Sequence, residues 1–252
     1  MSAGWAVEEQ RGPAGALHQA SADLLAPDLV RRRARVLVAE QPAVVLGSHE
    51  PDDWFDRSAL RAAGLDLARR RSGGGAVMVG AGLTLWVDFV VPAGDALWDD
   101  DVSRASWWVG DLWREAFALA GVEDADALTV WQGPMRRTRW SSVICFAGVG
   151  PGEVEIGGSK VVGVSQRRNR HGALFQSAVL LDWDPGLWLS LLSPAGRIAA
   201  GFEAGPPAGA AAGSKSYVDG GGVPADLAAA GRPVGAGNEV RLVNALAALL
   251  MT

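Results

Sequence analysis

Read along the chain, the apolar positions change period several times, and each change marks an element. Residues 14–25 are helix formers with Leu17, Ala20 and Leu24 on one stripe, and Pro27 ends the run. Residues 35–38 and 43–46 are two β-rich runs, broken at Gln41-Pro42 and closed by Gly47, the pattern of a hairpin or a bent strand pair. The segment 51–63 predicts a short helix with Ser58 as its N-cap. Residues 65–69 read as a strand entering a glycine turn. The runs 76–79 and 83–91 flank Gly80-Ala81-Gly82 as the arms of a hairpin would. Residues 102–120 carry the clearest helical period. Trp108, Leu112, Ala116 and Leu119 share a face, Trp113 and Phe117 widen it, and Gly121 is a natural stop.

In the second half, 127–131 and 142–147 read as strands and 148–152 as a turn. Residues 154–156 and 160–164 form a hairpin around Gly157-Gly158, followed by a polar, basic loop at 166–170. Residues 173–181 are a β-rich run ended by Asp182-Trp183-Asp184-Pro185, and 186–192 should be a helix. From 203 to 222 the composition shifts to Gly, Ala, Pro and Ser, which reads as a flexible segment or a long loop. Val240, Val243, Leu246 and Leu250 then form an apolar stripe capped by Asn238. This predicts a terminal helix that packs back on the body, because about 30 residues cannot bury a core of their own. The expected organisation is one body, 1–203, with a Gly/Ala/Pro segment and C-terminal helix, 204–252, belonging to the same domain. Strands outnumber helices, so the fold class is α+β: a mixed, largely antiparallel sheet with helices packed on one side.

Composition narrows the functions. A hydrophobic fraction of 49% is ample for a core, and a net charge of −5 argues against a general nucleic-acid binder. One cysteine excludes an intrachain disulfide framework and a cysteine-based zinc site, and no metal site is expected. The lone thiol fits a reducing cytoplasm. No basic segment followed by an apolar run opens the chain and no apolar stretch approaches a bilayer span, so a cytoplasmic protein without membrane contact is expected. Neither a dinucleotide fingerprint nor a P-loop is present in the proper context.

Two segments hold the candidate chemistry. Arg69-Arg70-Arg71-Ser72 runs into Gly73-Gly74-Gly75-Ala76-Val77, and arginines beside a backbone without Cβ atoms make an anion cradle. The bland reading is a tight hairpin corner. Strand alternation sends Arg69 and Arg71 one way and Arg70 the other. Gly158-Ser159-Lys160-Val161-Val162-Gly163-Val164-Ser165-Gln166 places one lysine at a strand start. Cys145 lies fifteen positions before that lysine, in an apolar run where a cysteine is ordinarily inert core.

Together these motifs resemble the lipoate-protein ligase and octanoyltransferase branch of the biotin/lipoate ligase superfamily. The likeness spans roughly 43–184 and includes Val44-Val45-Leu46-Gly47 and Gly82-Leu83-Thr84. It implies a catalytic domain of the class II aminoacyl-tRNA synthetase/biotin ligase type that loads a lipoyl or octanoyl group onto a carrier lysine. Arg70, Ser72 and Gly73, Gly74, Gly75, Ala76, Val77 would line the acyl and nucleotide pocket, with Gly163 and Gln166. Lys160 would touch the acyl carbonyl and, in a ligase, the adenylate phosphate. The Cys-Phe context of Cys145 and Phe146 resembles that of cysteine-dependent octanoyltransferases, which implies a nucleophile whose thiolate Lys160 favours if the two side chains meet.

The resemblance leaves three readings open. A transferase would need no cofactor and would take the acyl group from an acyl carrier protein. A ligase would use ATP and magnesium. A protein that has lost catalysis would only bind acyl groups or carriers. The acceptor implied is the lipoyl-carrier domain of a 2-oxoacid dehydrogenase or a glycine-cleavage protein. The pattern also departs from the family. Val79 stands where a histidine is common, Gln176-Ser177-Ala178 replaces a histidine-containing segment, and Gly47-Ser48-His49-Glu50 replaces Gly-Arg-x-Gln. His171 falls off the motif and reads as a loop histidine. Arg167, Arg168 and Arg170 read as a solvated turn or as a docking site for an acidic carrier.

Overall fold

The computed structural model describes residues 4–202 and 223–251. A seven-stranded sheet is its spine, in the order β1 (Ala6–Gly12), β2 (Arg33–Ala39), β6 (Thr84–Pro92), β10 (Gly172–Leu180), β9 (Ser159–Asn169), β8 (Val154–Ile156) and β7 (Thr129–Val130). Within this sheet only β1 and β2 pair in parallel. A second, three-stranded sheet has the order β4 (Asp66–Arg69), β3 (Ala43–Leu46), β5 (Val77–Val79); its β3 and β4 also pair in parallel. The remaining helices are α1 (Ala14–Asp23), α2 (Arg57–Ala62), α3 (Trp107–Ala120), α4 (Pro185–Leu191), α5 (Pro194–Ala199), α6 (Ala225–Ala228) and α7 (Glu239–Leu250).

The central strand β6 shows why these layers form. Its residues from Thr84 to Val91 are all buried, so both faces of the large sheet are covered. Leu85, Val87, Phe89 and Val91 point to α3 and α7, where they meet Val109, Trp113, Phe117, Leu242 and Leu246. Trp86 points the other way, onto α1 and the small sheet, with Leu17, Val45 and Val79. The two long helices thus cover one face of the sheet, and the small sheet roofs the other. That roof makes the site.

Several elements differ from their sequence readings. The runs 35–38 and 43–46 are a bent pair, not a hairpin: at Gln41-Pro42 the chain leaves the large sheet for the small one. The runs 76–79 and 83–91 part in the same way. Each has better partners in its own sheet, and only Gly80 and Thr84 bridge. Residues 142–147 are not a strand. Ile144 bridges Ala76, Cys145–Ala147 is a 3-10 turn, and local bonds from Val143 N and Ile144 N to Trp140 O (2.9 and 2.8 Å) satisfy the backbone. The basic stretch 166–170 is not a loop up to Asn169, because the apolar β10 needs a partner along its whole edge. α2 is capped by Asp56 rather than Ser58: its Oδ1 accepts from Ser58 N at 2.7 Å and Ala59 N at 2.9 Å. Helix α3 begins at Trp107, after turns that Asp101 organises by accepting from Ser103 N at 2.8 Å. α7 buries Leu242, Ala245, Leu246 and Leu250 and leaves Val240 exposed; Asn238 precedes it without a side-chain cap. The Gly/Ala/Pro stretch 203–222 lies outside the described residues. Among those described, no helix is long and apolar enough to cross a membrane.

Candidate active site

A narrow, partly open slot lies between the large sheet and the small one. Its floor crosses three adjacent strands. Trp86 of β6, Gln176 and Ala178 of β10, and Gly163 and Ser165 of β9 occupy facing register positions. Val45, Val77 and Val79 form the roof, and Cys145 and Phe146 stand at the β9 end. Val79, where the family has a histidine, is therefore plain apolar wall.

Two backbone hydrogen bonds splice the glycine turn to the cysteine loop. Ala76 N donates to Val143 O at 2.9 Å and Cys145 N to Ala76 O at 3.0 Å. Gly75 permits the approach, since a Cβ there would lie 2.8–2.9 Å from the backbone of Ile144 and Cys145. Arg70 is buried and braces the turn from within. Its Nη1 donates to Val45 O (3.0 Å) and its Nη2 to Gly73 O and Gly75 O (both 2.8 Å). Gly73 and Gly74 are exposed. Arg69 bonds Gly47 O at 2.6 Å and pairs with Asp52, while Arg71 reaches Gln19 Oε1 at 2.7 Å on the surface. Alternation thus separates one buried arginine from two outward ones.

Lys160 reaches the other side of that loop. It is 1% exposed, and its Nζ lies 3.5 Å from Cys145 Sγ. It also donates to Cys145 O (2.8 Å), Gly148 O (3.0 Å) and both carboxylate oxygens of Glu153 (2.8 Å each). Glu153, itself buried, is fixed by Gly150 N at 2.6 Å and Val164 N at 3.0 Å. Burial alone pushes the Lys160 ammonium down. The charges of Cys145 and Glu153, with their hydrogen bonds, outweigh it and hold the group above the ordinary lysine range. A fixed cation thus stands beside a half-buried sulfur that lines the slot.

The β6 end carries a second buried polar cluster. Ser72 Oγ donates to Gln176 Oε1 (3.1 Å) and shares a 3.0 Å contact with Ser165 Oγ. Gln176 Nε2 contacts His18 Nδ1 at 2.9 Å and donates to Asp88 Oδ2 at 3.3 Å, while Trp86 Nε1 donates to Asp88 Oδ1 at 2.7 Å. His18 lies over Trp86, with ring centroids 4.2 Å apart. Burial, then the Arg70 charge, lowers the His18 pKa to about 3. Burial raises that of Asp88 to about 6 against bonds that favour the carboxylate. At the mouth of the glycine turn, burial similarly raises Glu50 to about 7, opposed by its bond from Gly47 N and by Arg70.

The structure therefore brings together Cys145, Lys160, Arg70, Val77 and Gly163 on or against the slot, with Ser72 and Gly75 supporting it. Gln166 is set apart: it pairs with Phe175, whose ring joins the α3 side, so it faces away from the slot. Ser177 donates to Val87 O at 2.7 Å. Arg168 stacks on Trp98 at 4.0 Å, and Arg170 donates to His171 Nε2 at 3.1 Å. Glu153 and His18 were not singled out from sequence. A lone Asp88 within the apolar run 83–91 was the available sign of a buried polar cluster. Among the described residues no His, Cys, Asp and Glu side chains cluster as a metal site.

Comparison with known proteins fits this geometry. No curated protein matches the sequence. Among solved structures, lipoate-protein ligase A bound with ATP is similar, with a TM-score of 0.60 at 16% identity, over 98% of this chain and 83% of that one. A bi-partite lipoate protein ligase from Thermoplasma acidophilum, solved in a study of that ligase and its E2 lipoyl domain, has a TM-score of 0.54 at 17% identity, over 75% and 66%. LipL1 of P. falciparum in complex with lipoate has a TM-score of 0.54 at 13% identity, over 76% and 52%. At these identities the structures establish the fold. The sequence profile of the lipoyl protein ligase A/B catalytic domain matches residues 30–207. With that match over most of its length, the chain belongs to the lipoyl protein ligase A/B catalytic-domain family and is an enzyme of the transferase or ligase type.

Proposed function

We propose that this enzyme is a protein-lysine acyltransferase that carries an octanoyl or lipoyl group as a thioester on Cys145. The observation that supports it most is the 3.5 Å approach of Lys160 Nζ to Cys145 Sγ at one end of an apolar slot. The thiolate attacks the carbonyl carbon of an acyl group held on a carrier thiol, such as that of an acyl carrier protein. The Cys145 S–C bond forms, the donor C–S bond breaks, and the donor thiolate takes a proton from water. A neutral lysine amine of the acceptor then attacks the same carbon. The amide C–N bond forms, the Cys145 S–C bond breaks, and the amine proton passes to the departing thiolate or to solvent. Lys160 opposes the negative charge on sulfur in both steps, in a site where low polarity strengthens the effect. The acceptor in this reading is a lipoyl-carrier domain of a 2-oxoacid dehydrogenase or a glycine-cleavage protein. The half-buried Arg167 and exposed Arg170 offer local positive charge to it within an acidic protein.

The second reading is an ATP-dependent ligase working through an acyl-adenylate, and the likeness to a ligase bound with ATP favours it. In this structure the two cations that would meet a phosphate are both held by the protein itself. Arg70 holds three backbone carbonyls through its Nη atoms, and Lys160 holds Glu153 and two carbonyls. No step is therefore routed through a nucleotide or magnesium.

Intact-mass spectrometry with octanoyl-carrier protein separates the readings. The transferase predicts an octanoyl adduct on the enzyme without ATP, absent in Cys145→Ser, that moves to an added lipoyl domain. Acceptor modification that requires ATP and magnesium and persists in Cys145→Ser would establish the ligase instead. Acyl binding without either product would establish a non-catalytic binder.

A further inference from the structure

The hydrogen bonds of Gln176 fix the tautomer of His18. Its amide oxygen accepts from Ser72, so its nitrogen supplies one hydrogen to Asp88 and the other to His18 Nδ1. Nδ1 is then an acceptor. A neutral ring, as the lowered pKa requires, carries its proton on Nε2. That Nε2 is buried and has no hydrogen-bond partner among the described residues, although His18 is only 7% exposed and lines the slot. A residue that lines the slot therefore carries a buried N–H donor without a partner, beside valines and a tryptophan face.

Its place along the slot is set by the sheet. His18 sits over Trp86 on β6, whereas Cys145 and Phe146 meet Gly163 and Lys160 on β9, with β10 between. Two strand spacings separate those ends, about 10 Å. An extended hydrocarbon chain advances roughly 1.3 Å for each ~1.5 Å C–C bond, so about seven bonds cover that span. An acyl group bonded at Cys145 would bring its sixth to eighth carbons to His18.

Resting on the transferase reading of the slot, we propose that His18 selects the acyl group, favouring chains with a hydrogen-bond acceptor at the sixth to eighth carbon over unsubstituted octanoyl. The acceptor is a dithiolane sulfur, as in lipoyl, or an oxygen substituent. A methyl end would leave a buried N–H unpaired, whereas an acceptor would satisfy it. Asp88, Gln176 and Ser72 act as positioning residues that hold the donor in place.

The test is calorimetric binding of octanoate, 8-hydroxyoctanoate and lipoate to Cys145→Ser, which requires no chemistry. The expected result is binding of at least one acceptor-bearing acid about tenfold or more tighter than octanoate. In Cys145→Ser/His18→Phe, which keeps the ring over Trp86, that preference falls to about twofold or less. Which of the two acids gains shows whether oxygen or sulfur is read. As a second readout, 15N-histidine spectra should show the His18 Nε2–H resonance move with the favoured acid and stay with octanoate. Equal affinities for all three acids, or a preference unchanged by His18→Phe, overturns the proposal even if Cys145 acylates. Failure of Cys145 to acylate alongside a His18-dependent preference overturns the transferase reading alone.

Discussion

Lys160 and His18 are 1% and 7% exposed at opposite ends of one slot, yet one keeps its proton and the other sheds it. Burial pushes both the same way, toward the neutral base. The difference is the neighbour. Lys160 has a carboxylate with both oxygens at 2.8 Å, and an anionic Cys145 would add to it. The charge nearest His18 in effect is Arg70, a second cation, and its bonded partner is a neutral amide. One end of the slot is therefore a fixed positive charge beside the Cys145 sulfur, and the other is an uncharged N–H donor. Burial sets how much a partner matters, and the partner sets the state.

The largest effect is expected from breaking the charged end. Glu153→Gln leaves the Lys160 ammonium without its counter-charge, which should cost about 3–5 kcal/mol in urea unfolding and slow Cys145 acylation. Replacing both partners, Glu153→Leu with Lys160→Met, should restore most of the stability and none of the rate. Equal losses in both variants would show that the pair is not an energetic unit.

The uncharged end should reveal itself through pH. His18 titrates lower folded than unfolded, so stability on this account rises with pH from about 3 to 6.5 and is lost on acidification. Its contribution is on the order of 5 kcal/mol. Asp88 titrates higher folded than unfolded, so its contribution is present below pH 3.8 and is lost as pH rises to about 6, on the order of 3 kcal/mol. The two slopes oppose each other in the wild type. Glu50, raised to about 7, adds a further fall above pH 4.5, so His18→Phe should uncover the falling slopes and Asp88→Asn a net rise confined to pH 3.5–4.5, read from denaturation midpoints between pH 3.5 and 6.5. Identical profiles in the two variants would refute the assigned states.

Much of the charged end was legible in the sequence, because its parts are motifs. The triple-glycine turn, Lys160 and Cys145 are each marked by neighbours of unusual composition. Their meeting follows from a backbone splice that only glycine admits. Glu153 was not legible, since a carboxylate just after a glycine turn usually faces water, and only β9 folding back over β8 buries it. His18 was hidden for a related reason: its stripe on α1 is ordinary, and its role depends on a sheet register far along the chain. The fold reading erred where strands change sheets, at Gln41-Pro42 and at Gly80 to Gly82, because alternation records that a run is extended and not which edge it joins. It also missed β1, whose charged residues give no apolar signal although the strand pairs along its full length with β2.

A smaller effect is expected where the two ends share a scaffold. Gly75→Ala would press a methyl into the Ile144–Cys145 backbone, costing about 1–3 kcal/mol and shifting the sulfur away from Lys160. Acylation should fall further than stability alone explains. A rate unchanged after correction for folding would mean that the splice does not position Cys145.

The most direct measurement of the central claim is the intact mass of this enzyme after brief exposure to octanoyl-carrier protein in the absence of ATP. The account predicts one octanoyl group per chain, on Cys145, removed by a lipoyl-domain acceptor and slowed severely by Lys160→Met. An unmodified enzyme whose acceptor is acylated only when ATP is supplied would contradict it.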